Sequence, residues 1–428
     1  MTTVAIVLIV SVFAFAVLGV PLAWSLGLSS LCAILTTGTI SLGMLAQRMY
    51  TGGAVYAFLA IFFFIFAGNI MTYGGLSKRL IRFANGLVGH HTGGTSIVCT
   101  LACTFFAAIS GSSIATTAAI GGMLYPELKD YGYPDDYAAT LPAVGGVLGI
   151  VIPPSVTFIV YGTTLNISVG KLLFSGVVPG ILGSIALSVM CYIFAKKRNY
   201  PKGEKMNRKE FWKVAWEAGP ALLTPLIILG GIYSGLFTPT ESAAVAVIYA
   251  LLISFFVYKD MTLKDFGSVL IDSSISTATI LMMVGLSKSS SYVVTVSGLP
   301  ETILNGFASF TDSPIVILLL INILFLIIGM LMEANAAIVM MTPLLLPLMK
   351  AFGVDTIQFG IVMSFNLCIG LITPPVGICM LMGNQLAGSK LSAALKAVAP
   401  MLLMSLIILM LITYIPALTT WLPGFLAE

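Results

Sequence analysis

Leu148-Gly-Ile-Val-Ile-Pro-Pro-Ser155 and Gly370-Leu-Ile-Thr-Pro-Pro-Val-Gly377 are two apolar stretches, each interrupted by a proline pair, and they stand in register. At an offset of 221 positions, residues 111–182 cover residues 332–403 without a gap. Pro126 falls on Pro347, Pro153 and Pro154 on Pro374 and Pro375, and Pro179 on Pro400. Gly132, Gly149 and Gly162 fall on Gly353, Gly370 and Gly383. With six prolines in one window and five in the other, chance would align roughly 0.4 of them, so four matches mark a duplication. Duplicated halves with helix-breaking Pro and Gly inside apolar segments point to a transporter that binds its cargo where the halves meet.

Composition agrees. Hydrophobic residues make up 58% of the 428, charged residues 8%, and the mean hydropathy is +1.06. So few charges cannot cover a soluble protein of this size, and the class is a polytopic, all-α membrane protein. Met1 leads into an apolar run with no basic segment and no clear small-residue cleavage site, so no cleaved signal peptide is expected. Cys32, Cys99, Cys103, Cys191, Cys368 and Cys379 all lie in apolar stretches without metal-ligand spacing. The net charge of +4 carries no implication of nucleic acid; its distribution is what matters.

Runs long enough to cross the bilayer fall at about 4–20, 21–38, 54–74, 136–168 and 172–195, and again at 218–236, 240–258, 271–297, 356–387 and 397–420. Segments 94–131 and 313–352 occupy equivalent places, each with two apolar arms around a polar centre, and are read as re-entrant hairpins. Each half, 1–200 and 214–428, then crosses five times. The basic linker 196–213 is cytoplasmic by the positive-inside rule. That choice puts sixteen of the twenty Lys and Arg on the cytoplasmic side, leaving Arg48, Lys171 and Lys350 outside and Lys288 within a span. Five is odd, so the repeats are inverted and both termini periplasmic. Leu76–Leu87 is an amphipathic interfacial element, with Lys264–Ile271 a weaker candidate for its counterpart. His90-His91 reads as a surface pair.

Two broken helices and two hairpin tips suit an ion-coupled anion carrier. Carbonyls freed at a proline break can coordinate Na⁺, and half-helix N-termini can receive an anion; the plainer reading is a kink satisfied by a neighbouring helix. The candidate anion-binding residues are Ser110, Ser112, Ser113, Thr116, Ser155, Asn335, Thr373 and Gly377. The candidate Na⁺ set is Gly111, Ser112, Gly149, Pro153, Glu333, Asn335, Gly370, Thr373 and Pro374. Glu333 is an intramembrane carboxylate, functional by default, or else a cap on its own hairpin. Glu241, in Thr238-Pro-Thr-Glu-Ser242, reads as a helix cap. Lys288 could offset cargo charge, pair with Asp272 or reach polar surface. No nucleotide loop, metal cluster or nucleophile–base pair argues for an enzyme.

At Gly-Ser-Ser-Ile-Ala-Thr (111–116), the two proline-pair stretches and Phe-Thr-Pro-Thr-Glu-Ser-Ala-Ala-Val-Ala-Val (237–247), the chain resembles the large membrane subunit of tripartite ATP-independent periplasmic (TRAP) transporters. The resemblance covers essentially the whole chain. It implies an elevator, with a transport domain of about 93–170 plus 312–390 sliding against a scaffold. It also implies Na⁺ as coupling ion without an organic cofactor, a bacterial inner-membrane location and an organic acid cargo such as a C4-dicarboxylate or sialic acid. A periplasmic substrate-binding protein and a small four-helix membrane subunit are the implied partners. Because the chain begins at its first helix, that subunit is expected as a separate polypeptide. A stand-alone sodium–dicarboxylate symporter is the alternative. The tips contain no arginine, so neutral donors and helix ends must hold the anion.

Overall fold

The computed structural model describes residues 2–37, 41–374, 377–388 and 391–425; Pro375, in the second proline pair, lies outside them. Every regular element among these residues is helical, as membrane depth requires where no water can satisfy an exposed N–H or C=O. Nine helices among them are long and apolar enough to cross a bilayer. The first half runs α1 (Thr2–Val17), α2 (Leu22–Thr37), α3 (Leu42–Gly53), α4 (Leu59–Tyr73) and α5 (Leu76–Val88). The hairpin α6 (Gly94–Ser110) and α7 (Ser113–Asp130) follows, then the broken helix α8 (Asp135–Val151) and α9 (Val156–Leu165), then α10 (Val169–Ser175) and α11 (Val177–Arg198).

The second half runs α12 (Arg208–Tyr233), α13 (Pro239–Leu252), α14 (Leu263–Val296) and α15 (Leu299–Phe310). Its hairpin is α16 (Pro314–Leu331) and α17 (Ala334–Ala351), its broken helix α18 (Thr356–Gly370) and α19 (Ile378–Ala387), and α20 (Leu391–Tyr414) follows. The 221-residue offset carries helix limits as well as prolines. Moved by it, α7 takes the limits of α17, and α8 begins where α18 begins. Residues 42–73, split in the first half into α3 and α4, map onto the uninterrupted α14.

Three expectations need correction. Lys264–Ile271 is no counterpart of the amphipathic α5: it forms the first turns of α14, with a capping box from Thr262 and Asp265. By position the counterpart of α5 is α15, in the interval to which the sequence assigns neither the span 271–297 nor the hairpin 313–352. The interval between the spans 21–38 and 54–74, given no element from the sequence, contains α3 from residue 42 on. Both errors share a cause. Helices of twelve residues with small or polar faces fall short of the span signal, and here tertiary packing makes them: Ser289 Oγ on α14 donates to the Leu45 carbonyl of α3 at 3.0 Å.

Burial sorts the helices into layers. The most apolar window of 135–165 is wholly buried, whereas those of 169–198, α12, α14 and 394–414 bury only 28–33%. The broken helix α8–α9 is therefore central and the others show an apolar face outward, as Leu226, Ile185 and Leu403 do. Around it the halves interlock reciprocally: α9 packs on α17, and its counterpart α19 packs on α7. Against the flanking helices they differ. The first hairpin leans on α4 and α5 through its first arm α6, the second on α14 and α15 through its second arm α17.

Candidate functional site

At the first tip α6 closes with Gly111 at φ +60°, and extended Ser112 caps α7, its hydroxyl accepting the Ala115 N–H at 3.3 Å. Only glycine fits at 111, because a Cβ there would stand 2.5 Å from the Pro154 carbonyl oxygen as well as straining the backbone. Gly149 is equally close: its Cβ would meet the Ser112 carbonyl oxygen at 2.5 Å. The first helix break and the first tip are thus pressed together, backbone on backbone. Thr116 Oγ1 donates to the Ser112 carbonyl at 2.7 Å and lies 3.1 Å from Ser110 Oγ. Ser113 Oγ donates to the Val147 carbonyl at 3.4 Å.

The second tip is built differently. Met332 is extended, and Glu333, the positional counterpart of Ser112, caps α17. Its Oε2 accepts the N–H groups of Asn335 and Ala336 at 2.8 and 3.2 Å, and its Oε1 accepts Asn335 Nδ2 at 2.7 Å. That leaves Asn335 Oδ1 buried without a hydrogen-bond partner. An orphaned acceptor inside a protein calls for an explanation, and a bound cation or donor supplies one. Gly370, counterpart of Gly149, lies against the backbone of Gly329. The second break is closed on itself: Thr373 Oγ1 donates to the Ile369 carbonyl at 2.6 Å, and the Cys379 N–H to the Leu371 carbonyl at 3.0 Å.

Both tips open on one cavity of about 450 Å³. Its wall takes Ser110, Gly111, Ser112 and Ser113 from the first tip and Glu333 and Asn335 from the second. Ile150, Val156 and Thr157 come from the ends of the first broken helix, and Leu371 from the second. The opposite wall is α4 and α14, with Gly68, Asn69, Thr72, Ser276 and Thr279. The first turns of α7, α9 and α17 reach this wall, so three helix N-termini supply N–H groups and positive dipole ends suited to an anion. Tip hydroxyls, the Ser112 carbonyl, Glu333 and Asn335 Oδ1 are hard oxygen donors of the kind that suits Na⁺. Among the described residues no lysine or arginine lines it.

Of the residues read from the sequence, Ser110, Gly111, Ser112, Ser113, Glu333 and Asn335 meet at this cavity. Thr116, Ser155, Gly149 and Gly370 stand behind its wall, Ser155 as the buried cap of α9, accepting the Phe158 N–H at 3.4 Å. Pro153, Thr373, Pro374 and Gly377 do not line it. The reading missed Asn69, Thr72, Ser276 and Thr279. A signal existed, because Ser273, Ser274, Ser276, Thr277 and Thr279 crowd one apolar span. Asn69 Nδ2 donates to Ser273 Oγ at 2.9 Å, tying α4 to α14.

Glu241 closes a capping box, its Oε2 accepting the Thr238 N–H at 2.8 Å. Lys288 does not pair with Asp272, which lies sixteen positions back on the same helix, about 24 Å along its axis; its Nζ donates to the Thr164 carbonyl at 3.2 Å. Among the described residues no three His, Cys, Asp or Glu side chains gather as a metal site.

Residues 9–418 match the family model described as the tripartite ATP-independent periplasmic transporter, DctM component. Over 96% of its length the chain is 40% identical to the isethionate TRAP transporter permease protein DctMQ of Oleidesulfovibrio alaskensis, spanning 65% of that relative. It is 41% identical to the C4-dicarboxylate TRAP transporter large permease protein DctM of Pseudomonas aeruginosa, covering 94% of each chain. It is 36% identical to the sialic acid TRAP transporter large permease protein SiaM of Vibrio cholerae, covering 95% of each. These relatives are permeases and not enzymes. Among solved structures, the Alcanivorax borkumensis YdaH transporter superposes with a TM-score of 0.64 over 90% of each chain at 13% identity, a likeness of fold.

Proposed function

Since the chain belongs to the DctM family of TRAP transporter large permeases, we propose that it is the membrane permease of a sodium-coupled importer of a small organic acid anion, working as an elevator in a bacterial inner membrane. The observation that carries this reading is the shared cavity, where two hairpin tips and two broken helices meet and three helix N-termini end. An anion fits the helix ends and tip hydroxyls, and Na⁺ fits the carbonyls, Glu333 and Asn335 Oδ1. Relatives named for isethionate, C4-dicarboxylates and sialic acid share one chemistry, a small polar anion, and that shared chemistry is the proposed cargo class. With no cationic clamp among the described residues of the cavity, the site relies on delivery. The proposed partners are a periplasmic binding protein and a small four-helix membrane subunit.

In the proposed cycle the hairpins and broken helices, about 93–170 and 312–390, move as one body past the scaffold of α4 and α14. Inverted repeats, with both termini periplasmic, provide its two faces. The test is reconstitution in proteoliposomes, adding the chain, the small subunit and the binding protein in every combination, with succinate, N-acetylneuraminate and isethionate as labelled cargo. Uptake is expected only from the full set, and only with an inward sodium gradient. A potassium–valinomycin potential should drive it, since each net charge moved inward gains about 2.3 kcal/mol per 100 mV. Uptake unchanged when choline replaces Na⁺ overturns the coupling. Uptake by the chain alone makes it a stand-alone symporter.

A further inference from the structure

A second polar cavity, of about 530 Å³, lies at the other end of α9 from the one just described. The first turn of α9, at Val156 and Thr157, borders the central cavity; its last turn, at Thr163 and Thr164, borders this one. Ten residues of helix put the two about 15 Å apart. The far cavity is walled by Arg48 and Thr51 from α3, Lys288 and Tyr292 from α14, and the end of α9.

Its charge is one-sided. Among the described residues no acidic side chain lines it, and the ion pairs, Arg79–Asp260 and Lys129–Asp135, lie elsewhere. Lys288 Nζ has one partner, the Thr164 carbonyl at the C-terminus of α9, which uses one of its three donors. The Arg48 guanidinium lies over the Tyr292 ring, 4.6 Å from its centroid. A ring contact supplies no acceptor oxygen, so it leaves the guanidinium's N–H donors available. Tyr292 and Lys288 are one turn apart on α14, so both cations meet at one place. Beside them Thr163 Oγ1 and Thr164 Oγ1 are buried without hydrogen-bond partners. A cation cap on α9 explains one contact of Lys288. It does not explain a second cation, a cavity without counter-charge and two unsatisfied hydroxyls.

We propose that this cavity is a second anion site, holding the carboxylate or sulfonate of a small organic anion between Arg48 and Lys288, with the threonine hydroxyls completing its oxygen contacts. It supplies the positive charge that the central cavity lacks, one α9 length away, and so serves as a waiting position for the same class of cargo. Gly52 sets the position of Lys288: a Cβ at 52 would lie 2.7 Å from both Cβ and Cγ of Lys288, so a side chain there has to push the lysine aside. That the occupant is cargo rests on the organic-anion reading above. The site itself is tested without a sodium gradient or a binding protein, so the two can fail separately.

The test uses the full chain carrying Thr51→Cys, an exposed position on the cavity wall, in phosphatidylcholine nanodiscs, with the unsubstituted chain as blank. Rates of modification are measured with the anionic 2-sulfonatoethyl and the cationic 2-trimethylammonioethyl methanethiosulfonates. The anionic-to-cationic ratio should fall at least about tenfold when Arg48→Gln and Lys288→Gln are added, and partially with Gly52→Ala, which keeps both charges but displaces one. Millimolar succinate or isethionate should slow the anionic reagent only while both charges remain. A ratio indifferent to the two substitutions overturns the site. Protection by phosphatidylglycerol in the nanodisc, with none from succinate or isethionate, also overturns it and assigns the pocket to a lipid headgroup.

Discussion

Asn335 and Glu333 act as a pair: the carboxylate caps α17 with three accepted hydrogen bonds and, by holding Asn335 Nδ2, turns the amide so that Oδ1 is left over. Asn335→Ala removes an oxygen but leaves both backbone bonds of the cap. We expect the half-saturating Na⁺ concentration for uptake to rise about tenfold, equivalent to about 1.4 kcal/mol for one lost ligand interaction, with the unfolding midpoint in detergent little changed. Glu333→Ala removes the cap too and should lower that midpoint, for about 1 kcal/mol of lost helix capping, besides abolishing sodium-dependent uptake. Equal sodium dependence in wild type and Asn335→Ala would place the ion elsewhere. Of the two readings the sequence left open, the cap is observed, and the same carboxylate lines the cavity where the sodium site is proposed.

The breaks and tips work as elements because glycine lets backbone meet backbone. Gly149→Ala drives a methyl into the Ser112 carbonyl and the Ser113 N–H, within 2.5–2.8 Å. Overpacking of this kind costs about 1–3 kcal/mol, and separating the first break from its tip should abolish uptake. Gly122→Ala, also in a helix but with nothing within 4 Å of the added carbon, should be neutral in both assays. Matching losses in the two variants would show that the close approach at Gly149 is not what matters, since Ala is the better helix former at both positions. Topology is tested at the same scale: cysteines at Asn207 and Asp355 should react with impermeant reagents from opposite faces of the membrane. Labelling from one face would end the inverted-repeat reading.

Across the whole molecule the halves pack alike against each other but unlike against the flanking helices, α4 and α5 holding the arm α6 while α14 and α15 hold the arm α17. An elevator cycle exchanges such contacts. Gly68 of α4 is positioned to arrest it, because a Cβ there would stand 3.6 Å from Ser110 Cβ, within disulfide range. Oxidising the Gly68→Cys/Ser110→Cys double variant should stop whatever uptake its reduced form retains, and a reductant should restore it. Transport unaffected by the closed disulfide would mean that α4 and the first hairpin do not slide past one another.

The membrane class, the duplication and the elements that break or turn back were legible in the sequence. Composition, span length and proline register are local properties of the chain, and the bilayer leaves the backbone few alternatives. The tips were legible for the same reason: Ser110 to Ser113 and Glu333 to Asn335 are polar residues in apolar surroundings. What the tertiary structure decided is which of them share a cavity, and that Thr373 spends its hydroxyl on its own helix. It brought Asn69, Thr72, Ser276 and Thr279 to the opposite wall and set Arg48 beside Lys288 from helices more than two hundred residues apart. It also formed α3 and α15, whose short helices are stabilised by packing more than by their own periodicity. Such pairings depend on how distant helices meet, and no spacing along the chain records that.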